Sequence, residues 1–241
     1  MFNDSQIIVL ISQKEEEVKI LQKEILDLKK QLGSLNIDNK INFTKEDKIK
    51  IVMDYFRGRD DVFAFRLINK NNGSSYYMPA CLNAWKENVC NLKMKKKCNS
   101  CQYKVSKPLT KDVVFNHMYG DKTIGIYPLL EDNTCYFLAF DFDNKQNDKN
   151  IANEVLAFVS ICDLYNIPVV LEKSRSGKGI HVWIFFEEKV KAVVARKLGS
   201  LLLSKTMESI NLSISSFDRM FPNQDFLPKG GYGNLIALPF Q

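Results

Sequence analysis

Two aspartates, Asp141 and Asp143, stand at the end of an apolar run that reads CYFLAFDFD. Side chains alternate along a β-strand, so this spacing puts both carboxylates on one face and Phe142 on the other. Two adjacent carboxylates repel each other unless a positive charge lies between them. A divalent cation supplies that charge, and hard oxygen ligands favour Mg²⁺ or Mn²⁺. The pair therefore indicates a metal site, although the same spacing also occurs in solvated turns.

A third carboxylate would complete a site for two cations. Asp218 follows another alternating stretch, SISSFD, and Asp225 lies seven residues further on. Three carboxylates from separate strands can hold two cations about 3.5–4 Å apart, an arrangement that activates a hydroxyl group and stabilises a leaving pyrophosphate. Spacing alone does not show that these side chains converge.

The segment SRSGKGIH, at 174–181, brings small and cationic residues directly in front of the apolar run VWIFF and ends on one of only two histidines. Its two glycines permit close approach of backbone amides to an anion. Arg175 and Lys178, with Arg219 and Lys229 further along, are cations suited to a triphosphate. The segment is not a Walker loop, and the motif pair of zinc deaminases is absent. A tight turn that ends in a core histidine is the alternative.

Three cysteines, Cys90, Cys98 and Cys101, fall within the lysine-rich stretch CNLKMKKKCNSCQYKVSK. A Cys-x-x-Cys pair suits zinc because two thiolates at that spacing can face one ion from a tight turn, and Cys90 adds a third ligand. We assign the fourth position to His117, with Cys81 as the alternative. A structural zinc site would fix a loop too polar to fold by burial and display its lysines toward phosphate. Unrelated thiols in a solvated basic loop are the competing interpretation.

The N-terminal segment carries a coiled-coil-like pattern. Apolar residues repeat every seven positions and predict a helix over about 5–32, within an N-terminal segment 1–35. The polar residues 36–43 are typical of a linker. The helix either packs on its own domain or forms a dimer. The repeating residues are Ile11, Val18, Ile25 and Leu32, with Leu21 and Leu28 between them.

Residues 44–241 alternate short apolar runs with helical patterns. Helices are predicted over about 45–57, 148–165 and 190–209, between runs such as VFAFRLI, TIGIYPLL and IHVWIFF. Strands with intervening helices predict an α/β or α+β sheet with helices packed on it. The cysteines then fall in an insertion at about 81–117.

Charge and hydropathy narrow the class of protein. The net charge of +6 and pI near 8.9 favour an anionic partner. No stretch approaches the 18 consecutive apolar residues of a membrane span, and no signal peptide is evident. We therefore expect a cytoplasmic protein without a membrane partner, whose six cysteines are thiols or metal ligands rather than disulfides.

The motifs DFD, SRSGKGIHVW and FDRMFPNQD, followed by GNLIALPFQ, occur in the order of the three motifs of archaeo-eukaryotic primases. The chain from about 43 to 241 resembles more closely the primase-polymerase domain of TOTE conflict systems and of CRISPR-associated primase-polymerases. The resemblance implies an α+β fold, the primase catalytic core around an RRM-like sheet with a zinc-binding insertion. It also implies a template-dependent enzyme that starts strands, extends primers, or does both.

The same resemblance implies roles for single residues. Asp141 and Asp143 match the metal ligands of the first motif, and Asp218 best matches the carboxylate of the third. His181 matches the second-motif histidine that contacts the phosphates of the incoming nucleotide. The serine of the second motif is matched by Ser176, which GKGI separates from His181. This spacing is longer than in many primases but similar to that of bacterial end-joining polymerase domains. The expected nucleotide-binding residues are Ser174, Arg175, Ser176, Gly177, Lys178, Gly179, His181, Arg219 and Lys229.

The expected partners are a single-stranded or primed nucleic-acid template and nucleoside triphosphates. Similar proteins usually continue beyond the residues that match LPFQ, so a helicase or nuclease region in the same chain or operon is a further expected partner. Two other classes of function compete with the primase-polymerase. The first is a non-catalytic, zinc-containing nucleic-acid-binding module of a mobile-element or defence system, and the second is a metal-dependent nuclease.

Overall fold

The computed structural model of the protein describes residues 42–90, 98, 101–143, 151–210 and 214–241, with scattered positions between 16 and 28. The chain divides into two units, Met1–Lys45 and Glu46–Gln241. The coiled-coil-like helix predicted over 5–32 and the predicted linker lie largely outside the described residues. Among the helices that are described, none is long and apolar enough to cross a membrane.

The described part of the chain contains four helices and eight strands, which confirms the predicted mixed α+β class. The helices are α1 (Lys45–Tyr55), α2 (Lys111–Tyr119), α3 (Ile151–Leu164) and α4 (Ala192–Ile210). The strands are β1 (Ala64–Ile68), β2 (Ser75–Pro79), β3 (Ile124–Ile126), β4 (Thr134–Asp143), β5 (Val170–Lys173), β6 (Gly179–Lys191), β7 (Phe217–Phe221) and β8 (Ile236–Ala237).

The strands form two antiparallel sheets of four. The first has the order β2-β1-β3-β8, and the second has the order β5-β6-β4-β7. The long strands β4 and β6 lie at the centre of the second sheet, where both faces are covered. The run YFLAF of β4 and the run VWIFF of β6 are therefore continuously apolar rather than alternating with polar residues, whereas the exposed second half of β6 is charged.

The two faces of β4 belong to different cores. Leu138, Phe140 and Phe142 pack with buried residues of α3 and α4. Phe137 and Ala139 point the other way, into a cluster that includes residues of the first sheet and of α1 and α2. Burying a large apolar side chain contributes about 1.5–3 kcal/mol, so this doubly covered strand holds its register firmly. This packing positions the last residues of β4, which include Asp141 and Asp143.

Candidate active site

Asp141 and Asp143 lie at the end of β4, between two partner strands. Asp141 is opposite His181 on β6 and opposite Arg219 on β7, and Asp143 is opposite Gly179. Phe142 is fully buried against the helices, so the two carboxylates lie on the other face of the sheet. The pairing brings together residues from all three motifs.

His181 is held between two carboxylates. Its Nε2 lies 3.5 Å from Asp141 Oδ1, and its Nδ1 lies 3.0 Å from Glu172 Oε2. A carboxylate can only accept, so Nδ1 donates to Glu172 and Nε2 faces Asp141. Burial disfavours the charged ring, yet Asp141 and Glu172 outweigh it and raise the pKa of His181 to about 9. The imidazole is therefore cationic at neutral pH in this arrangement.

Glu172, which the sequence analysis did not single out, fixes the orientation of this histidine. It lies on β5 directly opposite His181. The same Oε2 atom also accepts a hydrogen bond of 3.0 Å from Nε1 of Trp183, whose side chain is fully buried. One carboxylate thus holds both rings and fixes the orientation of the imidazole. The register of β5 on β6 is the signal that identifies Glu172 as the partner of His181.

The residues before β6 form a tight turn between β5 and β6. The Ser174 amide donates to the Gly179 carbonyl, and the Gly179 amide donates to the Ser174 hydroxyl, both at 2.9 Å. The hydroxyls of Ser174 and Ser176 lie 3.1 Å apart. Gly177 has a φ of +73°, a left-handed conformation that favours glycine. Ser174 therefore holds the turn, and the turn lies at the same end of the sheet as Asp143.

Gly179 allows the turn to approach the carboxylates. A Cβ atom at this position would lie 2.8 Å from the Phe142 carbonyl oxygen and 2.9 Å from Asp143 Oδ1. Both separations are below contact distance, so no larger residue fits here without displacing β4. This glycine sets the distance between the second motif and the first.

The cations of the predicted site differ in their surroundings. Arg175 donates from Nε to Gln241 Oε1 at 3.1 Å, and the same oxygen accepts from Thr123. Gln241 therefore positions Arg175, a contact that the sequence analysis missed because the two residues are far apart in the chain. Lys178 and Lys229 are exposed. Lys229 lies in the segment between β7 and β8, and its role stays a prediction.

Asp218 occupies a β-bulge next to Asp141. Arg219 pairs with Asp141 and Phe217 pairs with Phe142, so Asp218 is the extra residue between two consecutive positions of β4. Bulges commonly redirect a side chain at a functional site. The Asp218 carboxylate is 13% exposed and accepts a hydrogen bond of 2.7 Å from Arg219 Nε. The other acidic residue in this region, Asp225, lies beyond the end of β7 and pairs with Arg196 of α4, whereas Asp218 lies on β7 beside Asp141, which favours Asp218 as the third carboxylate.

A buried glutamate on α3 anchors the segment that leads into β7. Glu154 accepts hydrogen bonds from the amides and hydroxyls of Ser215 and Ser216. Burial alone would favour its protonated form, but these donors hold the pKa of Glu154 below its usual value. The Ser216 carbonyl in turn accepts from the Asp143 amide at 2.7 Å. Glu154 therefore connects α3 to the strand ends that carry Asp143 and Asp218.

The carboxylates have the chemistry that Mg²⁺ or Mn²⁺ requires. Within the described ranges, no three His, Cys, Asp or Glu side chains are already grouped closely enough to hold a metal ion. Here Asp218 is bonded to Arg219 and Asp141 faces His181, so protein cations balance these two carboxylates. Asp141, Asp143 and Asp218 are hard oxygen donors at one end of one sheet, and donors of this kind are the ones that Mg²⁺ or Mn²⁺ prefers.

The cysteines line a separate cavity of about 30 Å³. Cys81, Cys90, Cys98 and Cys101 all contribute to its wall, and none of them forms a disulfide. Burial and the three neighbouring thiols raise the pKa of Cys98. The side chains do not yet form a preassembled cluster, but four thiols around one small cavity are a donor set that suits Zn²⁺.

His117 lies elsewhere, on α2 in the core. It is fully buried, its Nδ1 accepts from the Ile124 amide at 3.3 Å, and its Nε2 lies 2.9 Å from the Pro239 carbonyl oxygen. Both ring nitrogens are therefore occupied by backbone groups, and burial lowers the pKa of the ring. His117, the predicted fourth zinc ligand, therefore does not line the cysteine cavity, whereas the alternative, Cys81, lines it with the other three cysteines.

Comparison with known proteins bears on the region that carries these residues. The family model described as the archaeo-eukaryotic primase domain of TOTE conflict systems matches residues 47–241. No curated protein matches the chain. Among solved structures, the chain is similar to the polymerase domain of Ligase D from Mycobacterium tuberculosis in complex with DNA. That similarity has a TM-score of 0.47 and 10% identity, and it covers 81% of this chain and 75% of the other.

Proposed function

The chain belongs to the archaeo-eukaryotic primase family of TOTE conflict systems, and from this premise we propose that it is a template-dependent nucleotidyltransferase, a DNA or RNA primase-polymerase. In this proposal Asp141, Asp143 and Asp218 hold two divalent cations. His181 contacts the phosphates of the incoming nucleoside triphosphate. The template is single-stranded or primed nucleic acid.

The strand register around Asp141 is the observation that carries the proposal. It sets a carboxylate from the first motif beside the histidine of the second and the arginine of the third. A protein that only binds nucleic acid has no use for three carboxylates at this point, because they repel phosphate. Carboxylates beside cations are instead suited to a triphosphate bound with metal ions.

The reaction joins a 3′ hydroxyl to the α-phosphate of the incoming nucleotide and releases pyrophosphate. Bound Mg²⁺ or Mn²⁺ would help deprotonate the hydroxyl and would neutralise charge on the leaving group. Arg175, Lys178 and Arg219 surround the triphosphate with positive charge. His181, oriented by Glu172, faces Asp141 with Nε2 in this structure and would donate from Nε2 to a phosphate oxygen when Asp141 binds a cation. The Ser176 hydroxyl accepts from the Lys178 amide at 3.3 Å and would donate its own proton to phosphate, whereas the Ser174 hydroxyl accepts from the Gly179 amide within the turn.

The cysteine cavity belongs to the proposal as a structural zinc site. Cys81, Cys90, Cys98 and Cys101 would supply four thiolates, a closed set with no position left for substrate. Such a site stabilises the segment between β2 and α2 and takes no part in the chemistry. A helicase or nuclease region, a dimer through the N-terminal helix and a cytoplasmic location remain expectations.

A nucleotide-incorporation assay tests the proposed function. The full chain is mixed with labelled ribonucleotides or deoxyribonucleotides, Mg²⁺ or Mn²⁺, and a template with or without a primer. We expect labelled strands from the wild type and none from Asp141→Ala/Asp143→Ala. Salt-sensitive binding without incorporation under every condition would select the binding module instead, and cleavage of a labelled strand without added nucleotides would select a nuclease.

A further inference from the structure

An exposed apolar surface lies next to the cysteine cavity. It consists of Leu82, Trp85, Tyr103 and Val105, each between 44% and 62% exposed, and we refer to it as the Trp85 surface. The two chain segments that form it are held together. The Leu82 amide donates to the Val105 carbonyl, and the Asn83 side chain donates to the Tyr103 carbonyl, both at 2.9 Å. The rings are thus displayed on a defined backbone.

Trp85 is held outward at a cost in backbone strain. Its φ of +65° lies in the left-handed region, which bulky residues rarely adopt. The indole is 62% exposed, whereas the other tryptophan, Trp183, is fully buried. A large aromatic side chain normally gains free energy by burial. Strained residues with exposed side chains concentrate at binding sites, so this conformation points to a ligand.

The positive charge of the chain is concentrated in the same segment. Residues 81–107 contain seven lysines and one glutamate, a net charge of +6. The whole chain also has a net charge of +6, so the remaining residues balance at 27 basic and 27 acidic. The excess charge therefore belongs entirely to the segment that displays Trp85 and Tyr103. Lys86 follows Trp85 directly and is exposed.

We propose that the Trp85 surface binds single-stranded nucleic acid, with unpaired bases stacked on Trp85 and Tyr103 and phosphates attracted by the positive charge of the segment 81–107, whose Lys86 is exposed next to Trp85. Exposed rings combined with positive charge suit this ligand, because a single strand offers both a π-face and a phosphate at each nucleotide. A neutral protein partner would not use the charge, and a simple polyanion would not use the rings. The inference rests on the proposed function in one respect: a primase-polymerase needs a template strand. The Trp85 surface would hold that strand at a place separate from the three carboxylates.

The test measures binding without nucleotides or divalent metal. A 20-nucleotide oligothymidine is titrated into the full chain while tryptophan fluorescence is recorded, because Trp85 is the exposed one of the two tryptophans. We expect quenching that is absent in Trp85→Phe. The anisotropy of a 5′-labelled oligothymidine gives the affinity of every variant, and we expect it to be reduced about tenfold in Trp85→Ala and in Tyr103→Ala. Trp85→Phe keeps a ring for stacking and should retain most of the affinity. The matched control is Tyr165→Ala, because Tyr165 is 47% exposed, as Tyr103 is, but lies outside the basic segment.

An abasic oligonucleotide of the same length separates stacking from charge. It carries the same phosphates, so we expect weaker binding and no quenching of Trp85. Equal quenching by the abasic strand, or unchanged affinity in both alanine variants, would overturn the proposal. The titration contains neither nucleotides nor divalent metal, so its outcome does not depend on catalysis. A failure of this surface is thereby distinguished from a failure of the proposed catalysis, which the incorporation assay measures separately.

Discussion

The carboxylate site and the cysteine cavity are positioned by different means. Asp141, Asp143 and His181 lie on paired strands whose neighbouring residues fill two cores. The four cysteines belong to the long connection between β2 and α2, where the described backbone has one isolated bridge, Cys81 with Ser106, and a few turn hydrogen bonds. Register and burial fix the first region, whereas the proposed zinc ligands would fix the second.

The difference predicts how each region responds to change. Variants of the carboxylates should lose function and keep the fold, because the strands are held by apolar contacts that those side chains do not make. Variants of the cysteines should lose local order, because a segment with seven lysines buries too little apolar surface to hold itself.

The largest effect is expected from the carboxylates. Asp141→Asn and Asp218→Asn should each lower the rate of nucleotide incorporation at least about a thousandfold, since each removes a ligand charge worth several kcal/mol in the transition state. Single-turnover incorporation measures the loss, and thermal unfolding should show an unchanged midpoint. Asp163→Asn, at an exposed position of α3, is the control. A rate within tenfold of the wild type in either variant would contradict the assignment.

The zinc content of the purified protein tests the assignment of the cysteine cavity. We expect about one Zn²⁺ per purified chain, and Cys81→Ser should lower that content sharply because it removes one of four thiolates. His117→Asn should keep the metal and destabilise the core by about 2–3 kcal/mol, since buried backbone groups lose their partners. Metal analysis and urea unfolding measure the two effects. Loss of zinc in His117→Asn with retention in Cys81→Ser would restore the histidine as the ligand.

Glu172 tests whether the orientation of His181 matters for function. Glu172→Ala should lower incorporation about 10- to 100-fold, as removal of partners that orient functional histidines does. Glu172→Gln keeps an accepting oxygen and should retain more activity. Side-chain nitrogen NMR can follow the protonation of the ring directly, because the chain has only two histidines and His117 serves as the internal reference. Loss of the Glu172 carboxylate should lower the pKa of His181. Glu188→Gln, an exposed change on β6, should alter neither measurement. Identical activity and an identical His181 titration in Glu172→Ala would assign Glu172 to packing alone.

Glu154 gives the smallest expected effect, on stability and its pH dependence. Its folded pKa is depressed, so its contribution is present above the unfolded value of about 4.3 and is lost as pH falls through the folded value. Glu154→Gln should lower the free energy of unfolding by about 1–2 kcal/mol at pH 7, and the difference should shrink in acid. Urea unfolding at pH 7 and pH 4 measures this, with the exposed Glu208→Gln as the control. If the difference in the free energy of unfolding between Glu154→Gln and the wild type grows toward low pH, the assignment of a depressed pKa to Glu154 is wrong.

Local patterns in the sequence predicted the parts of the fold that depend on local physics. The helix predicted over 148–165 is observed as Ile151–Leu164, because an apolar face with helical period is a short-range signal. The alternation of CYFLAFDFD likewise places Asp141 and Asp143 together on one face of β4.

Contacts between distant segments could not be predicted in the same way. Glu172 becomes a partner of His181 only through the register of β5 on β6, and Gln241 reaches Arg175 across 66 residues. His117 is close to the cysteines in the sequence, yet α2 turns it into the core. The bulge at Asp218 depends on its pairing with β4 rather than on its neighbours in the chain.

Pyrophosphate release tests the central claim most directly. Nucleotidyl transfer releases one pyrophosphate for each nucleotide joined, whereas a nuclease or a binding module releases none. For the wild type we predict equal amounts of pyrophosphate and incorporated nucleotide, dependent on template and on Mg²⁺ or Mn²⁺, and neither product from Asp141→Ala/Asp143→Ala. Continued strand synthesis by the double variant would contradict the account.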